Sequence, residues 1–123
     1  MGQAASNPVV LIVEDEGLIR ALAEEVLEGA GYQVLSAANA DEAIRILEVR
    51  NDIRAVFTDV QMPGSIDGLK LAHIVRDRWP PVALIVTSGK VDILESDLPN
   101  GGKFLRKPYA AEQVQNALRD LLC

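Results

Sequence analysis

Between Pro8 and Asp15 the chain reads PVVLIVED. Five consecutive aliphatic residues leave no place for the polar neighbour that a half-exposed strand shows at every second position. Such a run is a strand covered on both faces, the condition met in a parallel sheet with helices on each side. Four further apolar runs follow, in YQVLSA, AVFTD, VALIVTSG and KFLRKPY. The stretches between them are amphipathic. From Gly17 to Ala30, Leu18, Leu22 and Val26 recur every four residues while Arg20, Glu24, Glu25 and Glu28 face away, which predicts a helix stopped at Gly31. Asn39 followed three residues later by Glu42 predicts a capped helix with Ile44 and Leu47 inward. DGLKLAHIVRDRW places Leu69, Ala72 and Val75 at helical spacing and ends at Pro80-Pro81. Ala110 to Leu122 closes the chain as a helix with Val114, Leu118 and Leu121 inward.

The resulting order, β-α-β-α-β-α-β, an irregular piece, then β-α, implies right-handed crossovers and helices on both faces of a five-stranded parallel sheet. The irregular piece is KVDILESDLPNGG, Lys90 to Gly102. Only Val91 to Leu98 can be helical before Pro99, Asn100 and two glycines, so at most about two turns are expected, because short helices pay a nucleation cost they barely recover. With 123 residues the chain reads as one domain, residues 8–123, after a short flexible leader, residues 1–7. The opening MGQAAS satisfies the pattern for myristoylation through Gly2 and Ser6, but so short a pattern recurs by accident and the leader reading is preferred. No run is long enough to span a membrane, no signal peptide is evident, and Cys123 is the single cysteine, which together point to the cytoplasm. A net charge of −6 without a Lys/Arg cluster argues against nucleic acid as a partner.

In an open parallel α/β sheet ligands bind beyond the carboxyl ends of the strands. Strand one delivers Glu14 and Asp15 there, strand three Asp59, strand four Thr87 and Ser88, and strand five Lys107 followed by Pro108. Clustered carboxylates repel unless they take up protons or hold a cation, and hard oxygen donors suit Mg²⁺. A carboxylate beside such an ion can attack a phosphoryl group, and Lys107 and the Thr87 hydroxyl can then stabilise the phosphoryl oxygens. Asp59 stands alone in its own loop because its partners come from other strands.

Over essentially its whole length the chain resembles the receiver domain of two-component response regulators. The matching motifs are VLIVEDE with its acid pair, FTDVQMPG with a phosphoacceptor aspartate, LIVTSG with a switch hydroxyl, and FLRKPY with a Lys-Pro. The resemblance implies a flavodoxin-like, doubly wound fold of receiver type, with no attached output domain. It implies Asp59 as the phosphorylation site, Mg²⁺ held by Asp15, Asp59 and the main-chain carbonyl of Gln61, and Glu14 acting through metal-bound water. It further implies Lys107 on a phosphoryl oxygen, Thr87 swinging toward the phosphoryl group, and Phe104 as the aromatic that follows Thr87. Gln61 and Gly89 would flank the path of the hydrolytic water, and the Lys107-Pro108 bond would be cis. The phosphodonor would be a histidine kinase or phosphotransfer protein, the output an unknown protein target, and the chain would catalyse only its own phosphorylation and dephosphorylation.

Plainer readings exist for the same residues. Asp59 can cap its loop, Glu14-Asp15 can cap a helix, Lys107 can be a solvated lysine, and Thr87 and Phe104 can be strand formers and core filling. His73 reads as a half-exposed helix residue and Trp79 as packing at a helix end. Each leaves the convergence of strand ends unexplained. Two other functions use similar parts. A haloacid-dehalogenase-like Mg²⁺-dependent phosphatase also has an Asp nucleophile, but wants an acid two residues on, where this chain has Gln61. An FMN binder would need a Ser/Thr/Gly-rich loop after strand one, where this chain has EDEGL. Two departures from the receiver pattern stand out: PGSIDG is one residue longer than the usual loop, and Lys90 to Gly102 lacks the amphipathic pattern of a full helix before the fifth strand.

Overall fold

In the computed structural model, residues 7–62, 64, 66–89 and 93–122 are described. The leader, apart from Asn7, lies outside them, as do Pro63 of the loop after Asp59 and Lys90 to Asp92 of the irregular piece. β1 (Val9–Val13) is buried at every position, as its unbroken apolar run requires. It is followed by α1 (Gly17–Gly29), β2 (Gln33–Ala37), α2 (Ala40–Val49), β3 (Ile53–Asp59), α3 (Gly68–Arg78), β4 (Ala83–Ser88), β5 (Lys103–Arg106) and α4 (Ala111–Leu122). The strands form one sheet in the order β2-β1-β3-β4-β5, parallel at every pairing.

Alternate strand residues feed two cores. Leu11, Val56, Leu84 and Val86 meet Ala43 and Leu47 of α2 and Leu71, Ala72 and Val75 of α3 on one face. Ile12, Phe57 and Ile85 meet Ala23 and Leu27 of α1 and Val114, Ala117 and Leu118 of α4 on the other. Each fully buried Leu, Ile or Val here contributes on the order of 1.5–3 kcal/mol of transfer free energy. Among the described residues no helix is long and apolar enough to cross a membrane.

Helix ends follow local chemistry. Asn39 accepts a hydrogen bond from the Glu42 N–H at 2.8 Å, and Asp67 accepts from the Lys70 N–H at 2.8 Å. Gly31, at φ 96°, ends α1, with the N–H groups of Gly31 and Tyr32 returning to the carbonyls of Glu28 and Leu27. The face of α1 differs from the sequence expectation. Leu18 and Leu22 are 75% and 55% exposed, and the buried positions are Ala23 and Leu27. The helix is turned by one residue, so that Ile19, Ala23 and Leu27, also spaced by four, meet the sheet. Between β4 and β5 the described chain holds one short 3-10 turn, Glu95–Asp97, in place of a full helix, in line with the Pro and Gly content there.

Candidate functional site

β3 runs between β1 and β4, so the last residue of β3 emerges flanked by the ends of both neighbours. In register, Asp59 pairs with Thr87, and the Val60 N–H continues the ladder to the Thr87 carbonyl at 2.9 Å. On the β1 side the Glu14 N–H donates to the Ala37 carbonyl at 3.0 Å, and on the β4 side the Lys107 N–H donates to the Ser88 carbonyl at 2.9 Å. Residues just past the strands are thereby fixed by extensions of the sheet rather than by free loops. The Lys107-Pro108 bond is cis, as expected.

The structure brings Glu14, Asp15, Asp59 and Lys107 together. One carboxylate oxygen from each of the three acids lies within 4.8 Å of the others. Lys107 Nζ stands 3.1 Å from Asp59 Oδ2 and 3.5 Å from Glu14 Oε1. Glu14 and Asp59 are buried, whereas Asp15 is exposed. The helix-cap reading of the acid pair is not realised: the residue before α1 is Glu16, which makes no side-chain cap bond, and Glu14 Oε2 instead accepts from the Glu16 N–H at 3.2 Å. Gln61 is exposed and its N–H donates to Asp59 Oδ1 at 3.3 Å.

The charges perturb one another. Burial pushes the Glu14 carboxyl above its ordinary range, although the Glu16 N–H and the Lys107 ammonium pull the other way. Burial pulls the Lys107 ammonium down, but the hydrogen bond and charge of Asp59, joined by Glu14, outweigh it and leave its pKa raised. Three clustered carboxylates beside a lysine that stays charged form a centre for anionic oxygens and a hard cation.

Thr87 is buried and lines a small crevice with Ile12, Phe57, Asp59 and Tyr109. Phe104 is not on that side. It pairs in register with Val86 and packs with the α2/α3 core, so it lies on the opposite sheet face from Thr87. The aromatics sharing Thr87's crevice are Phe57 and Tyr109, whose rings meet edge-on at 5.7 Å. Burial raises the Tyr109 phenol pKa. Beyond Tyr109 a groove of about 440 Å³ opens between Leu22, Val26, Pro108 and Ala111.

Two supporting residues escaped the sequence reading. Arg20 Nη1 donates to the Glu14 carbonyl at 2.8 Å and so fixes the acid-bearing turn. A cation in the first turn of a helix opposes the dipole, which was the available signal. Gly68 opens α3 against the main chain of Asp59: a Cβ there would lie 1.7 Å from the Asp59 carbonyl oxygen. A glycine directly after the capping Asp67 was the sign of that close approach. His73 is exposed rather than half-exposed. Trp79 does pack at a helix end, with the Arg78 guanidinium 4.4 Å from its ring centroid.

Compared with known proteins, residues 10–119 match the family model described as the response regulator receiver domain. The chain is 33% identical over 122 residues to sensor kinase CckA of Brucella abortus, a match that covers 96% of this chain and 13% of that protein. It spans 13%, 24% and 45% of the three curated relatives compared. The crystal structure of a response regulator receiver domain protein from Clostridium thermocellum superposes with a TM-score of 0.84 at 30% identity, covering 94% of both chains. Response regulator TrrA of Thermotoga maritima, solved in complex with Mg²⁺-BeF, gives a TM-score of 0.81 at 25% identity, covering 93% of this chain and 98% of that one.

Proposed function

Because the chain belongs to the response regulator receiver family, and is thus a phosphorylation-activated receiver, we propose that Asp59 is its phosphoacceptor. The observation that carries this is the placement of the buried Asp59 carboxylate against Lys107 Nζ at 3.1 Å, with the acid pair of β1 beside it. The receiver domain in this reading occupies residues 8–123.

The Asp59 carboxylate attacks the phosphorus of a phosphohistidine on a histidine kinase or phosphotransfer protein. An O–P bond forms to Asp59, the N–P bond breaks, and its electron pair returns to the donor imidazole. Lys107 then moves from the carboxylate to a phosphoryl oxygen, where its charge offsets the added anion. The Thr87 hydroxyl, in the same crevice, donates to another. Gln61 orients the water whose attack on phosphorus later releases phosphate and restores the carboxylate. The clustered oxygens of Glu14, Asp15 and Asp59 fit Mg²⁺. Asp15, Asp59 and the Gln61 carbonyl would hold it, with Glu14 acting through water. When bound, Mg²⁺ supplies positive charge toward phosphoryl oxygens. The chain turns over no separate substrate, its setting is the cytoplasm, and its output is a protein target. A dehalogenase-like phosphatase finds no acid at position 61.

The test is phosphorylation by acetyl phosphate, with and without Mg²⁺, read by intact mass. Wild type should gain one phosphoryl group only with Mg²⁺, and Asp59→Ala none. A gain of equal size in Asp59→Ala refutes the assignment.

A further inference from the structure

The described residues Ile93 to Gly102, between β4 and β5, form a strap that side chains of α3 tie down. Leu98 is 8% exposed and sits in the core that holds Leu71, Ala72 and Val75 of α3. His73 Nε2–H donates to the Asp97 main-chain carbonyl at 2.7 Å. Arg76 Nε donates to the Asn100 carbonyl at 2.8 Å, while its Nη1 donates to the Pro80 and Val82 carbonyls at 2.6 and 2.9 Å. Arg76 thus spends its donors on three main-chain carbonyls, clamping the strap and the entry to β4 onto the end of α3.

The other end of α3 touches the reacting residue. The Gly68 N–H donates to the Val60 carbonyl at 2.8 Å, and the Asp59 carbonyl fills the space where a side chain on Gly68 would stand. The eleven-residue helix α3 therefore connects the main chain of Asp59 to the strap. Close-packed elements transmit a displacement rather than absorb it.

We propose that α3 is a lever that carries the state of Asp59 to the strap, with Arg76 and His73 as the latch. This rests on the reading of Asp59 as phosphoacceptor. It differs from transmission along the chain itself, from Thr87 through Ser88 and Gly89. Arg76 and His73 act as positioning residues and leave phosphorylation itself unchanged.

Hydrogen exchange read by mass spectrometry on the full chain separates the two routes, in wild type, Arg76→Ala and His73→Ala, with and without Mg²⁺ and beryllofluoride. In wild type the phosphoryl mimic should alter exchange in α3 and in the strap together. Without ligand, Arg76→Ala should exchange about tenfold faster or more across residues 94–101, the effect expected of losing charged hydrogen bonds. With the mimic, α3 in Arg76→Ala should still respond and the strap should not. A strap response as large as wild type, or a wild-type strap response without one in α3, overturns the lever. Should Arg76→Ala fail to fold, His73→Ala removes one exposed contact and should weaken the strap response; an undiminished response overturns the latch. Acetyl phosphate treatment of the same proteins distinguishes the failures. No phosphoryl group on wild-type Asp59 overturns both readings, whereas normal phosphorylation with an unchanged strap response in the variants overturns the lever alone.

Discussion

The ammonium of Lys107 stands 3.1 Å from Asp59 Oδ2 and bridges to Glu14 Oε1 at 3.5 Å. One cation from the edge strand thus offsets two buried carboxylates from the sheet centre. Removing it in Lys107→Ala leaves those acids facing each other uncompensated. Stability without divalent ions should fall by about 1.5–3 kcal/mol, the range for hydrogen bonds between charged groups. Urea denaturation in EDTA measures this. Phosphorylation by acetyl phosphate should slow as well, and a variant as stable and as reactive as wild type would remove Lys107 from the site.

Glu14 sets a pH dependence. Its carboxyl is raised by burial, so folding favours the protonated form. That favourable contribution is complete below the unfolded pKa and disappears as pH rises through the higher folded one. Glu14→Gln stays neutral throughout. Its melting temperature relative to wild type, in EDTA, should therefore climb between about pH 4 and pH 7. A difference that stays flat or falls over this window contradicts the burial effect.

Metal affinity should divide the acid pair. Glu14 is buried and engaged by Lys107 and the Glu16 N–H, whereas Asp15 is exposed. Calorimetric titration with Mg²⁺ should show a severe loss in Asp15→Ala and a milder one in Glu14→Ala. Undiminished affinity in Asp15→Ala would strike it from the ligand set.

Gln61 should govern loss of the phosphoryl group. Its N–H reaches Asp59 Oδ1 at 3.3 Å, which keeps its exposed side chain beside the site, while Gly89 offers no side chain. Following decay of the phosphorylated form, Gln61→Ala should persist several-fold longer, an effect within the usual range for orienting a reacting water. An unchanged half-life excludes it.

Gly68 tests the seat of α3. A methyl group there would collide with the Asp59 carbonyl oxygen at 1.7 Å, so helix and strand must separate. Gly68→Ala should lose about 1–3 kcal/mol or more and phosphorylate slowly, although alanine favours helix. Thermal melts and the acetyl phosphate assay decide it; a neutral substitution would mean the junction is loose.

The strands were legible because burial on both faces leaves a local mark, the short unbroken apolar run of β1 and β4. The strand ends then predicted the meeting of Glu14, Asp15, Asp59 and Lys107, since a parallel sheet carries every carboxyl end to one edge. The face of α1 was not legible. Leu18, Leu22 and Val26 share the four-residue spacing of Ile19, Ala23 and Leu27, and the two stripes lie one residue apart on the same helix. Only docking against β1 and β2 selects between them. That the described residues before β5 hold only a short 3-10 turn was written in Pro99, Gly101 and Gly102, but not where that turn is tied. His73 and Arg76 reach carbonyls 24 residues away, and main-chain carbonyls are the same in every residue, so no side-chain pattern announces such partners. The sheet faces of Thr87 and Phe104 were likewise decided by register. Local periodicity records how each segment is covered; which segments touch is a property of the assembled sheet.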